Sequence, residues 1–283
     1  FSVVHECVNK RTGEHLAVKI IDKNTVKPEE KTLLRTEIAV LKLMHHPHII
    51  RMDGLYETKE KVYIVMEMLK GGELFERIVG RPRFTESDTA KLLRPLLESV
   101  AYMHDLGIVH RDIKPENILC GENLDDVKIA DFGLSAIYRP GAASRSKVGS
   151  LAYVAPEVLK DEMAPGPMRD VWSMGVILYA LIMRKLPFTG TTLAAVRKAV
   201  IAGKVVFDRS ASIEVKDLIR RFLIVNPSER IELSQATTHP WMERYSQYSK
   251  MAIGGNGNHR DGIIARSEAA RRKAQQGTGL HCD

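Results

Sequence analysis

Cysteine is scarce in this chain of 283 residues: Cys7, Cys120 and Cys282 are the only three, and they lie far apart. An odd, scattered set builds no disulfide framework, which excludes the small cross-linked secreted domains and points to a reducing compartment. Cys120, inside the apolar run 118–120, reads as core rather than as a reactive thiol. Long apolar runs are lacking too. The longest, residues 171–183, contains Ser173 and Gly175 and falls short of the roughly 20 residues that span a bilayer, so it reads as a buried core helix. The net charge is +7, but basic residues are interleaved with acids and no aromatic-basic pattern accompanies them, which argues against a nucleic-acid surface. No secretory leader is visible. Because the chain opens on Phe1, that says nothing about a true N-terminus. No EF-hand calcium loop occurs. A hydrophobic content of 44% on this length supports one large or two modest domains with a real core.

What is present centres on His110-Arg111-Asp112-Ile113-Lys114-Pro115-Glu116-Asn117, followed by Asp131-Phe132-Gly133 and then by Ala155-Pro156-Glu157. The octapeptide sets a base (Asp112), a cation (Lys114) and an oxygen ligand (Asn117) on one short loop, and Asp131 adds a second metal-binding carboxylate. Those groups are the inventory of phosphoryl transfer: a carboxylate for the attacking hydroxyl's proton, divalent cations for the phosphate oxygens and a lysine for developing charge. A lone Asp-Phe-Gly arises by chance; the three motifs in this order are specific.

These residues resemble the protein kinase family, and the resemblance covers residues 1–245. Arg111 before the aspartate and Lys114 two residues after it are similar to the serine/threonine kinases. Gly71-Gly72-Glu73-Leu74-Phe75 and His239-Pro240-Trp241-Met242 resemble the calcium/calmodulin-dependent group. The resemblance implies an α+β, two-lobed fold: a mostly β lobe with one key helix over residues 1–69, a helical lobe over 70–249, and a flexible tail over 250–283. It also implies transfer of the γ-phosphate of ATP, with Mg2+, to Ser or Thr of protein substrates.

Site roles follow from the resemblance position by position. Phe1-Ser2-Val3-Val4 is similar to the end of a glycine-rich loop, with Val4 over adenine, so the chain reads as a fragment lacking the first strand and two glycines. Ala17 would leave room for adenine, and Lys19 would hold the α and β phosphates when paired with Glu37. Met66 would gate the back of the pocket. Backbone groups of Glu67 and Leu69 would bind adenine, with little demand on their side chains, and Leu119 joins the ATP-binding set. Glu73 and Glu116 match the acids that contact ribose or read an arginine upstream of the acceptor, which favours Arg-Xaa-Xaa-Ser/Thr substrates. Asp112 would take the acceptor's proton, Lys114 would stabilise the transferring group, and Asn117 and Asp131 would hold magnesium. His110 would stack on Phe132, joining Leu41 and Met52 in a hydrophobic spine. Asp170 would support the catalytic loop, and Glu157 would pair with Arg230.

Regulation is expected at Arg111, a cation left uncompensated until an anion arrives, and at Ser146 or Ser144, where a phosphate from an upstream kinase would order the segment. A plain loop serine is the other reading of Ser146. Gly149-Ser150-Leu151-Ala152-Tyr153 keeps a hydroxyl at Ser150 but lacks the family's proline.

Local patterns add elements around these motifs. Apolar runs predict strands over 3–8, 15–21, 49–56 and 61–67, the first two joined as a hairpin by residues 10–14. Helices are predicted over 28–44, with Leu34, Ile38 and Leu41 on one face, and over 85–106, with Pro95 kinking it or costing a hydrogen bond. Further helices are expected over 193–202 and 214–225, joined by a connection at 206–213 that is short for the family. His45, His46 and His48 read as a helix-ending turn, since no cysteine or carboxylate sits at ligand spacing. After the linker Gly254-Gly255-Asn256-Gly257-Asn258, residues 263–276 are either a disordered tail or a basic regulatory helix with few bulky anchors for calmodulin. Two rivals remain: a pseudokinase or scaffold without turnover, and a small-molecule phosphotransferase. The intact catalytic set opposes the first, and Ala155-Pro156-Glu157, Arg230 and the long segment between them oppose the second. The setting is expected to be intracellular, cytoplasmic or also nuclear, with no nucleic-acid partner and no membrane span.

Overall fold

In β2 (His15–Asp22) buried Leu16 and Val18 alternate with half-buried Ala17 and Lys19, the two-residue period of a strand whose faces meet different surroundings. A computed structural model describes residues 2–80, 84–123, 126–138, 150–160 and 166–245. In it β2 is central to an antiparallel sheet of order β1-β2-β4-β3, with β1 at Ser2–Val8, β3 at Met52–Glu57 and β4 at Lys61–Glu67. The register sets Val4 opposite Lys19 and Ala17 opposite Met66. Helix α1 (Pro28–Leu43) follows β2, with Pro28 in its first turn, where a missing N–H costs nothing. It buries Glu37, Val40 and Leu41, with Met44 just beyond its end.

The remainder is mainly helical: α2 (Leu74–Gly80), α3 (Glu86–Asp105), α4 (Pro156–Leu159), α5 (Met168–Met183), α6 (Leu193–Ala202), α7 (Ile213–Phe222) and α8 (Leu233–Thr237). Thr85 caps α3, its hydroxyl accepting Asp88 N–H at 3.1 Å while Asp88 accepts in return. Such reciprocal capping is worth about 1 kcal/mol. Leu92, Leu96, Val100 and Met103 make its buried stripe, and Gly107, at φ +72°, turns the chain out of the helix in a left-handed conformation open to glycine. α5 is buried on every side, as an apolar helix at the centre of a lobe must be.

Two small antiparallel pairs hold the loops between these helices. β5 (Ile108–Val109) pairs with β8 (Ala136–Ile137), and β6 (Ile118–Cys120) pairs with β7 (Val127–Ile129). Residues 110–117 therefore leave β5 and enter β6, while 131–133 leave β7 on the way to β8. Both loops are thereby held side by side, and Ala130 N–H donates to Asn117 O at 2.8 Å.

Several boundaries differ from the sequence reading. The strand expected over 49–56 begins at Met52, because Ile49 bridges to Ile129 and Ile50 N–H bonds to Ile129 O instead of entering the sheet. The helix expected to reach 225 ends at Phe222. Leu34 and Ile38 are only half-buried, and Val40 takes the core position. α3 runs through Pro95, which is buried, so the cost there is the missing N–H and not an interruption. Cys120 is fully buried. Ser144, Ser146, Gly149 and the tail over 250–283 lie outside the described residues.

Away from the loops, two polar clusters hold the helical lobe. Glu86 accepts Ser212 N–H and Oγ at 2.8 and 2.7 Å and Trp241 Nε1 at 2.7 Å, joining α3 to the end of the lobe. Arg230 forms a bidentate pair with Glu157, at 2.8 and 2.9 Å, and also donates to Met168 O and Ile224 O. With both partners buried, removing one leaves an uncompensated charge, so Arg230→Met is expected to cost about 3–5 kcal/mol in urea unfolding. A loss under about 1 kcal/mol would show the pair to be dispensable.

His46 generates a pH prediction. Burial, then the neighbouring charges of His48 and Lys128, hold its ring down at about 4, against 6.5 for an ordinary histidine. The unfolded chain therefore binds a proton before the folded one does, so stability present above pH 6.5 is lost as pH falls towards 4. His46→Phe keeps a ring against Tyr102, which lies at 5.1 Å. It is expected to show a flatter loss across that window in urea titrations at successive pH values.

Candidate active site

Lys19 is carried on the same face of β2 as Ala17, one strand residue removed, and Glu37 is brought to it by the buried stripe of α1. Its ammonium lies 2.6 Å from Glu37 Oε1 and 3.5 Å from Asp131 Oδ1. Burial alone would push the lysine down, but the two carboxylates outweigh it and hold its pKa above the ordinary value. The site's upper half is thus a fixed cation between two anions contributed by different elements.

The lower half is the loop 110–117. Arg111 has φ +71° and Asp131 φ +58°, a left-handed backbone that costs a residue with a side chain about 1–3 kcal/mol. Asp170, in the first turn of α5, offsets the cost at Arg111: it accepts His110 N–H at 2.8 Å, Arg111 N–H at 2.9 Å and His104 Nε2 at 3.0 Å. Hydrogen bonds to a charged acceptor are worth about 1.5–3 kcal/mol each, so the sum exceeds the strain. Burial pushes the Asp170 carboxyl up, yet His104, His110 and the Arg111 N–H hold it below the usual carboxylate range.

Asp112 is 9% exposed, and its carboxylate is fully engaged. Oδ2 accepts Lys114 Nζ at 2.8 Å and Asn117 Nδ2 at 3.1 Å, while Oδ1 accepts Ser150 N–H at 3.1 Å and Ser150 Oγ at 3.4 Å. Lys114 Nζ also donates to Ser150 Oγ at 3.1 Å. Because Asn117 spends its amide N–H groups on Asp112 O and Oδ2, its carbonyl oxygen is left for a ligand. Asp131 is more open, its side chain 54% exposed. Two hard oxygen donors of this kind fit a divalent cation such as magnesium.

Other residues named from sequence fall around this pair of clusters. Met66 faces Ala17 across β2 and β4, and Leu69 and Leu119 are half-buried, while Val4 is exposed. Glu73 is bridged to Leu119 through the backbone. Glu116 Oε2 is buried with no hydrogen-bond partner among the described residues, and burial, then the Glu116 charge, push the Tyr153 phenol well up. His110 and Phe132 meet edge to face at 5.0 Å, and Leu41 and Met52 belong to the same core.

One expectation is corrected. The Glu67 side chain is not idle: its Oε1 accepts Arg51 N–H at 2.7 Å and pairs with Lys128 Nζ at 2.9 Å, tying the end of β4 to β7. The Arg111 guanidinium donates to Leu134 O and Ser135 O, neutral acceptors that hold it in place without cancelling its charge. Burial, then the Arg169 charge, push its pKa down, and Asp170 opposes them. Arg169 itself, 3% exposed, interacts electrostatically with Asp170, Glu157 and Asp112. Sequence reasoning missed His104 and Lys128, because each acts across a long stretch of chain, and Arg169, because a basic residue beside Asp170 carries no signal of burial.

Residues 1–242 match the family described as Protein kinase domain. The chain is 39% identical to serine/threonine-protein kinase SIK2 of Gallus gallus over 86% of this chain and 30% of that protein. It is 39% identical to myosin light chain kinase A of Dictyostelium discoideum, over 86% of this chain and 84% of the relative. Calcium-dependent protein kinase 26 of Oryza sativa subsp. japonica is 40% identical over 86% of this chain and 46% of its own length. The chain therefore spans less than a third of the SIK2 protein. With the Lys19–Glu37 pair above and the engaged Asp112 loop below, the chain belongs to the protein kinase domain family.

Proposed function

We propose that this chain transfers the γ-phosphoryl group of ATP, with magnesium, to serine or threonine hydroxyls of protein substrates. The observation that carries the reading is the Asp112 carboxylate, bonded to Lys114 and Asn117 and lying in the same site as a lysine fixed between Glu37 and Asp131. Lys19 would bind the α and β phosphates, with Glu37 keeping it extended. An acceptor hydroxyl would replace Ser150 N–H at Asp112 Oδ1 and give its proton to that carboxylate. The acceptor oxygen bonds to the γ phosphorus as the bond to the β–γ bridging oxygen breaks, and ADP leaves with that electron pair. Lys114 donates to the transferring group. Asn117 and Asp131 would hold magnesium, which when bound neutralises phosphate charge.

Glu116 supports the choice of substrate. A buried carboxylate oxygen without a partner is costly, and a guanidinium from an arginine upstream of the acceptor would satisfy it, with Glu73 as a second acid. Regulation through Ser146, Ser144, an upstream kinase or calmodulin rests on residues outside those described. Scarce cysteine supports an intracellular setting, cytoplasmic or nuclear.

Asp112→Asn is expected to lower kcat for a basic serine peptide by about 10²–10⁴-fold while a fluorescent nucleotide still binds. Undiminished turnover would remove Asp112 from the role of base, and a wild type that binds magnesium nucleotide without turnover would favour the scaffold reading. Glu116→Gln is expected to cost roughly tenfold or more in kcat/KM for an arginine-bearing peptide and little for its alanine counterpart. Equal losses for both peptides would put the preference elsewhere.

A further inference from the structure

The segment just past Leu69 is fastened to the β6–β7 hairpin by more than its own backbone. Gly71 N–H donates to Cys120 O at 2.8 Å, Cys120 N–H donates to Gly72 O at 2.9 Å, and Glu73 bridges to Leu119. The side chain of Arg77 lies over this seam. Arg77, in α2, donates from Nε to Gly71 O at 3.2 Å and from Nη2 to Gly121 O, so a single guanidinium holds a carbonyl from each side. A Cβ on Gly71 would collide with Arg77 Nη2 and Gly121 O, which shows how closely the two strands of the seam are drawn together around that group.

A packing role does not account for the guanidinium. Among the described residues no carboxylate lies within ion-pair distance of Arg77, and its Nη1 is buried without an acceptor. A cation so placed is costly, and Leu or Met would fill the volume more cheaply. What neither can do is span two carbonyls with a planar, fixed fork. Those carbonyls belong to the stretch following Leu69 and to the turn following Leu119, the residues on either side of the adenine position.

We infer that Arg77 is a positioning residue for the adenine half of the nucleotide site, setting the spacing between the segment after Leu69 and the hairpin that carries Leu119. This rests on the nucleotide-binding reading proposed above. Arg77 bonds Gly71 O and Gly121 O and none of Lys19, Lys114, Asn117 and Asp131, so its effect is assigned to the base end of the site.

The test measures binding of fluorescent ADP to the full chain, with adenosine and inorganic tripolyphosphate as competitors. Arg77→Met is expected to weaken ADP and adenosine by the same factor, about tenfold for the loss of two hydrogen bonds, and to leave tripolyphosphate unchanged. Arg77→Lys, which keeps the charge and donors for one carbonyl, is expected to fall between. Arg94→Met is the matched control: Arg94 Nη2 donates to Met242 O at 3.2 Å in the helical lobe, so it loses a bond of the same kind away from the site. An Arg77→Met protein with wild-type affinity overturns the inference, as does an equal shift in Arg94→Met or an equal loss of tripolyphosphate. If Arg77→Met does not fold, the lysine variant decides, and wild-type adenosine affinity in it overturns the inference. A wild type that binds neither ADP nor adenosine overturns the proposed function itself. Wild-type binding with unshifted variants overturns this inference alone.

Discussion

The carboxylate of Asp170, at the start of the most deeply buried helix, accepts His110 N–H at 2.8 Å, Arg111 N–H at 2.9 Å and the His104 ring at 3.0 Å. The left-handed turn at Arg111 persists because these bonds over-determine it. That turn sets the following residue, Asp112, against Lys114, Asn117 and Ser150. An anion this buried needs its partners, since burial alone would favour the protonated form. Two of the three partners come from the loop it supports and the third, His104, from α3, so loop geometry and carboxylate ionisation sustain each other.

A second constraint operates one layer out. Asp112 spreads four hydrogen bonds over its two oxygens, two from Lys114 and Asn117 and two from Ser150. The first two come from the loop itself and hold the carboxylate in orientation. The other two come from a residue on the segment leading to Glu157, which is anchored in turn by Arg230. In the function proposed here an incoming hydroxyl competes with Ser150 for Oδ1, so the free energy of that exchange is part of acceptor binding. Replacing one hydrogen bond by another of like kind costs little net, whereas an Oδ1 stripped of both would be a poorly solvated anion.

Much of this was legible in sequence, and the reason differs by element. Strand β4 and helix α6 were bounded correctly because period-two and period-3.6 patterns coincide there with turn residues and a Thr192 cap. The run beginning at Ile49 misled because a buried apolar pair reads as strand whether its partner is the sheet or, as here, Ile129. Site residues inside dense motifs, Asp112, Asn117 and Asp131 among them, could be named in advance, since spacing along the chain stands in for proximity. The partners that orient them could not. His104 meets Asp170 across 66 residues and Lys128 meets Glu67 across 61, and neither carries a local signal that distinguishes it from a surface residue. Arg77 was hidden for another reason: its partners are carbonyl oxygens, which every residue has.

The three-way meeting at Lys19 divides the support of the site between two sources. The floor is fixed by backbone pairing between β6 and β7 and by Asp170 beneath the loop, while Glu37 reaches Lys19 only through the packing of α1. If α1 moves outward, Lys19 loses its bond at 2.6 Å and keeps Asp131, now at 3.5 Å, as its nearest anion. The ammonium would then close on the very carboxylate proposed to hold metal, so displacement of one helix disables two parts of the site together. One charge-assisted bond is worth about 1.5–3 kcal/mol, enough to shift a two-state population by roughly 10- to 150-fold. In the function proposed here, control through α1 would require no larger rearrangement than the exchange of one carboxylate for another around a single lysine.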